Sequence, residues 1–109
     1  MGMDLYIFRA RTKKVFDQED WYESDSVNEI LYARKWWNLV EHCSFIPTNY
    51  ESGEYIQLTK NNIEEMIKVS CQYVDYWGGY DNVPKLCMMR DAFDEDEENG
   101  YHYYLTYNW

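Results

Sequence analysis

Two blocks of carboxylates carry most of the chemistry this sequence offers. Residues 17–29 hold Asp17, Glu19, Asp20, Glu23, Asp25 and Glu29, with no base among them. Residues 91–98 hold Asp91, Asp94, Glu95, Asp96, Glu97 and Glu98, again with no base. Together they contain twelve of the twenty acidic residues, and the rest of the chain sets eight acids against ten bases. The formal net charge of −10 therefore comes from two places. Blocks of one sign create local fields that attract the opposite charge and repel their own. Such fields disfavour direct contact with nucleic acid or an anionic membrane, and they suit a basic protein surface.

Other chemistries fit less well. General acid–base catalysis needs a carboxyl pair with separated pKa values, which spacing alone does not supply. The alternation of Asp94, Asp96 and Glu98 resembles the first ligands of an EF-hand loop. Gly100, however, falls seventh instead of sixth, and Leu105 stands twelfth, where a bidentate Glu is required. His42 and Cys43 are adjacent, so on a helix they point about 100° apart and do not form a nucleophile–base pair. Closely spaced zinc-ligand pairs and a phosphate-binding glycine loop are both missing from the sequence. The expectation is a protein with no catalytic residues, no metal and no cofactor.

The elements that must hold these blocks follow from periodicity. Met3 to Arg11 reads as a strand in which Leu5 and Ile7 face opposite to Tyr6 and Phe8, so both faces are apolar and the strand is central. Lys13 and Lys14 lead into the first acidic block, which reads as a loop. Ser26-Val27-Asn28-Glu29 matches a capping box, which predicts a helix from there to about Cys43. Val27, Ile30, Leu31, Arg34 and Asn38 would form one stripe, widened by Ala33, Trp36, Trp37, Val40 and Cys43. Arg34 and Lys35 would either engage a carboxylate or an aromatic ring, or lay their stems along the helix. Pro47 ends the segment.

Residues 48–53 read as a turn, and Glu54 to Leu58 as a short strand. Thr59 or Asn61 caps the next helix, whose stripe is Ile63, Met66, Ile67, Ser70, Cys71 and Val74, with Gly78-Gly79 as its stop. Pro84 opens a short helix through Met88, Met89 and Phe93. Asn99-Gly100 is a turn, and Tyr101 to Trp109 alternates as a strand. The expected class is α+β or α/β. About three strands are covered by two main helices, in the order β-α-β-α-(α)-β, as a single domain over residues 1–109.

Hydrophobic content of 46%, with five Trp, twelve Tyr and four Phe, is that of a folded chain. Three widely spaced cysteines without a CxxC pair suit reduced thiols and a cytoplasmic protein. The N-terminal stretch, with Asp4, Arg9 and Arg11, does not read as a secretory signal.

Three segments resemble parts of small phage and prophage proteins of unassigned function. They are Met1-Gly2-Met3-Asp4-Leu5-Tyr6-Ile7-Phe8, Glu29-Ile30-Leu31-Tyr32-Ala33-Arg34-Lys35, and Gly53-Glu54-Tyr55-Ile56-Gln57-Leu58-Thr59. The likeness spans residues 1–75, with Ala33 where the family's helix pattern has Trp. It implies a mobile-element origin and carries over no catalytic residue. In size, charge and lack of catalytic motifs the chain is also similar to anti-CRISPR proteins and to DNA-mimicking restriction inhibitors. The function expected is an inhibitor in the host cytoplasm that binds a basic nucleic-acid-binding surface of a host defence enzyme. The expected partner-binding residues are Asp17, Glu19, Asp20, Glu23, Asp94, Glu95, Asp96, Glu97 and Glu98, with Trp21, Tyr22, Trp36 and Trp37 as aromatic anchors. The alternative is a non-catalytic homodimer or phage accessory component held by its aromatic surface.

Overall fold

The computed structural model describes residues 3–47, 54–73 and 80–108. The expected turn over 48–53, Val74, the Gly78-Gly79 helix stop and Trp109 lie outside the described residues. Strand β1 (Asp4–Ala10) is central, as its two apolar faces require. It pairs antiparallel with β2 (Asn28–Arg34) on one side and with β4 (His102–Asn108) on the other. The short β3 (Ile56–Gln57) closes the far side against β4, giving the order β2-β1-β4-β3. The class is α+β, with an antiparallel sheet of four strands.

The largest correction falls on residues 26–43. The expected single helix is instead strand β2, a reversal at Lys35 and the short helix α1 (Trp37–His42). The apolar residues follow period two here. Leu31 and Ala33 are buried, while Tyr32 and Arg34 face out. Pairing with β1 satisfies a full edge of backbone groups, which outweighs the local capping signal. The Ser24 and Ser26 hydroxyls bond each other at 2.7 Å in a turn instead of capping a helix. A bulge opposite Ile7/Phe8 accommodates Ile30. Lys35 takes φ 58°, and its N–H donates to the Met3 carbonyl at 2.6 Å, which turns the chain from the sheet into α1.

Helix α2 (Lys60–Gln72) starts as expected. Thr59 and Asn62 exchange side-chain and backbone hydrogen bonds in a capping box. Its buried face is Ile63, Met66, Val69 and Ser70, and Cys71, expected in the stripe, is exposed. Helix α3 (Val83–Glu98) is longer than expected and takes in the whole second acidic block. Pro84 sits in its first turn, where the missing N–H costs nothing.

The helices cover one face of the sheet. Leu5, Ile7, Leu31, Leu105 and Tyr107 pack there against Trp36 and Leu39 around α1, Ile63 and Met66 of α2, and Leu86 and Met89 of α3. Each such apolar side chain contributes about 1.5–3 kcal/mol when fully buried. The opposite face holds a second, smaller core of Phe8, Ala10, Val15, Phe16 and Tyr104. It is covered by the 12–27 crossing segment, which forms two 3₁₀ turns (Lys13–Asp17 and Trp21–Glu23) instead of an open loop.

Helix α3 joins β4 through a tight reversal at Asn99-Gly100. The Tyr101 N–H donates to the Asp96 carbonyl at 2.8 Å and the Gly100 N–H to the Glu97 carbonyl at 3.0 Å, the paired bonds of a Schellman cap. Gly100 has φ 87°, and a Cβ there would stand 3.2 Å from Arg11 Nη1. Gly100→Ala is expected to cost about 1–2 kcal/mol in urea unfolding, because an L side chain resists the left-handed region.

Candidate protein-interaction site

The carboxylates divide into those used internally and those left facing water. Asp96 belongs to the first group. Its side chain is 14% exposed and meets Arg9 Nη1 of β1 at 3.3 Å. It also accepts a hydrogen bond from the Tyr103 hydroxyl of β4. Burial and this bond to a carboxylate push the Tyr103 hydroxyl well above the ordinary phenol range. Asp96 thus fastens α3 to the two central strands and is not part of an open binding surface, contrary to expectation. Asp94 pairs with Lys60 of α2 at 3.0 Å, and Asp91 pairs with Arg90 at 3.2 Å. Both pairs are largely solvated and contribute little.

Glu95, Glu97 and Glu98 are exposed, and among the described residues their carboxylates have no partner. They occupy the last turn of α3, which holds no base. That turn carries the negative end of the helix dipole, so each acid there is unfavourable by about 0.3–1 kcal/mol. The alternation Asp94, Asp96, Glu98 lies on this helix, where residues two apart point to nearly opposite sides. A calcium loop, which wraps alternate ligands around one ion, has a different geometry.

In the first block Asp17, Glu19, Asp20, Glu23, Asp25 and Glu29 are all exposed. The segment leaves the sheet after Ala10 and rejoins it at Asn28, which pairs with Arg9. Both ends of the crossing segment are therefore attached at the end of the sheet where α3 finishes. Arg11 marks the junction. It donates to the Asn99 carbonyl at 2.9 Å, and its guanidinium lies 4.3 Å over the Tyr101 ring. The crossing segment and α3 lie on opposite faces of the sheet.

The aromatic anchors also divide. Trp36 is fully buried beside α1, so it belongs to the core and not to a partner surface. Trp37 is 37% exposed and Tyr22 66%. Trp21 is half-buried and meets Phe8 and Phe16 edge-on, at 5.0 and 5.2 Å between centroids. An open groove of about 400 Å³ lies beside it, lined by Tyr6, Phe8, Trp21, Tyr22, Tyr55 and Glu29, among others. Tyr6, Phe8 and Tyr55 were not singled out from the sequence as site residues. The apolar second face of β1 was the signal that could have found the first two.

Nucleophilic chemistry at Cys43 is opposed by its surroundings. Burial, with Glu65 nearby, pushes its thiol up to about 12. His42 stacks on Tyr73 with centroids 3.8 Å apart. Among the described residues no helix is long and apolar enough to cross a membrane. Comparisons with protein-family models, with curated proteins and with solved structures found no match.

The division of the carboxylates is testable by stability alone. Asp96→Ala is expected to lose about 2 kcal/mol in denaturant unfolding, because it removes a charged hydrogen-bond partner of both Arg9 and Tyr103. Joint replacement Glu97→Lys and Glu98→Lys is expected to gain about 1 kcal/mol at low salt, since it matches charge to the helix dipole. An unchanged or lower melting temperature for the second variant would mean that these acids are not opposed to the fold.

Proposed function

We propose that this protein is a small acidic inhibitor of phage type. It binds a basic, nucleic-acid-binding surface of a host defence enzyme in the host cytoplasm, in the manner of anti-CRISPR or DNA-mimic proteins. One observation carries this reading. Glu95, Glu97 and Glu98 are exposed on a helix, without partners among the described residues, at the end where negative charge works against stability. Retaining an unfavourable feature is reasonable where a partner's bases complete it. The exposed acids of the first block add negative surface on the opposite face of the sheet.

In this mechanism the carboxylates stand in for phosphates and meet the Lys and Arg that neutralise a nucleic-acid backbone. Long-range attraction raises the association rate, and close contacts set the lifetime of the complex. No bond is made or broken, so the protein acts by occupancy and is not an enzyme.

The homodimer reading draws on Tyr22, Tyr32, Trp37 and Met88, which are large and exposed. Trp36, buried in the core, adds nothing to it. Sedimentation velocity at high salt separates the two readings, because an apolar dimer persists there and the inhibitor reading predicts a monomer.

The deciding experiment is capture of partners from host lysate at low and high salt, with mass spectrometry. A nucleic-acid enzyme is expected, lost at high salt and lost when Glu95, Glu97 and Glu98 are changed together to Lys. Asp96 is kept in this variant because it holds the helix. Capture that ignores both salt and charge reversal would overturn the proposal.

A further inference from the structure

The aromatic groove on the second face of the sheet has a composition the charge blocks alone do not explain. Tyr6 and Phe8 stack along β1 at 5.5 Å, and Trp21 stands edge-on to Phe8, Tyr22 and Tyr55 at 5.0, 6.0 and 6.1 Å. Glu29 joins this lining, and among the described residues its carboxylate has no hydrogen bond or salt bridge. Two further acids stand close by. Asp4 accepts from the Tyr32 hydroxyl at 2.7 Å, and the Tyr32 ring lies 4.9 Å from Tyr6. Asp20 accepts from the Tyr22 hydroxyl at 3.5 Å. No basic side chain lines the groove among the described residues, and Arg34 acts on Tyr32 beside it.

These features select among occupants. An anion would meet ring faces of negative quadrupole and an uncompensated carboxylate. An apolar side chain would strip water from Glu29 and return no hydrogen bond. A lysine ammonium supplies charge, but as a compact and strongly hydrated point. A guanidinium is planar, stacks on aromatic faces and offers a fork of donors to a carboxylate. The chain already uses this pairing, with the Arg9 and Arg11 guanidiniums 4.9 and 4.3 Å from the Tyr101 centroid. A second groove between α3 and the sheet, lined in part by Glu29, Met88 and Asp96, contains Arg9 and Lys85 and so brings its own cations.

We infer that the groove lined by Tyr6, Phe8, Trp21, Tyr22, Tyr55 and Glu29 receives one arginine side chain of a protein partner. The guanidinium stacks on the rings and its donors face Glu29. This deepens the proposed function and rests on it for the identity of the partner, though not for the chemistry of the groove. About 400 Å³ admits an extended arginine and part of its backbone. The carboxylates of α3 then steer the partner, and the groove fixes the register.

The test is NMR titration of the full chain with blocked Gly-Arg-Gly and Gly-Lys-Gly peptides. Saturable shifts are expected at the Trp21 indole and at the Tyr6, Phe8 and Tyr55 rings, with the arginine peptide about fivefold tighter. Glu29→Gln and Tyr22→Ala are each expected to weaken it about fivefold. Both positions are exposed, so the fold is retained. Shifts spread along the acidic helix, or equal affinities indifferent to Glu29→Gln, would overturn the inference. The two proposals fail separately. Partner capture abolished by α3 charge reversal but untouched by Tyr22→Ala and Glu29→Gln removes the groove and keeps the inhibitor. Selective arginine binding in the groove, with no basic partner captured from lysate, removes the inhibitor and keeps the groove.

Discussion

Strand β1 carries apolar side chains on both faces, and everything else is arranged to cover them. Met3, Leu5 and Ile7 are fully shielded on one side, and Phe8 and Ala10 nearly so on the other. A strand like this cannot stand at an edge or face water. It takes β2 and β4 as neighbours, three helices over its first face and the 12–27 crossing segment under its second. That segment carries five carboxylates, Asp17, Glu19, Asp20, Glu23 and Asp25, and Val15, Phe16 and Trp21 hold it to the aromatic face. The first acidic block is therefore positioned by hydrophobic burial, and its charge is displayed by a scaffold to which charge contributes little.

The second block is positioned by different means. The Asp96 carboxylate, received by Arg9 and Tyr103, ties the last turns of α3 to the two central strands. The glycine cap at Gly100 then returns the chain directly into β4. One carboxylate of the block is spent on attachment, and this allows Glu95, Glu97 and Glu98 to remain on a fixed surface. Their place at the negative end of the helix dipole sets local stability against whatever function the charge serves. Conflicts of this kind concentrate at functional sites, where a local rule is broken for a reason outside the fold.

Charge and aromatic surface have complementary roles in the proposed mechanism. Exposed carboxylates act over about a Debye length, near 8–10 Å at ordinary salt, and they attract any basic surface. Selectivity needs contacts that a diffuse field does not make. The groove beside Trp21 offers planar faces and, at short range, a carboxylate unpaired among the described residues, the two features on which the inferred preference for a guanidinium rests. Both features meet around residues 20–29, where the crossing segment re-enters the sheet.

Much of this arrangement was legible in the sequence. The two-sided apolar pattern of residues 3–11 required a central strand. The alternation over 101–109 required another, and a cap at Thr59 or Asn61 placed the start of α2, where the structure selects Thr59 with Asn62 as its reciprocal partner. The charge blocks and their sign were visible without a structure. Sequence alone did not decide residues 26–43, because a capping motif and a broad apolar stripe are local signals of helix. A backbone edge on β1 that must be paired is a non-local demand, and it drew Asn28–Arg34 into the sheet. Nor did the sequence separate Asp96 from Glu95 and Glu97, or Trp36 from Trp37. Adjacent residues of one type differ only in which way the folded backbone turns them. That direction fixed which acid holds the helix, which acids remain exposed, and which tryptophan belongs to the core.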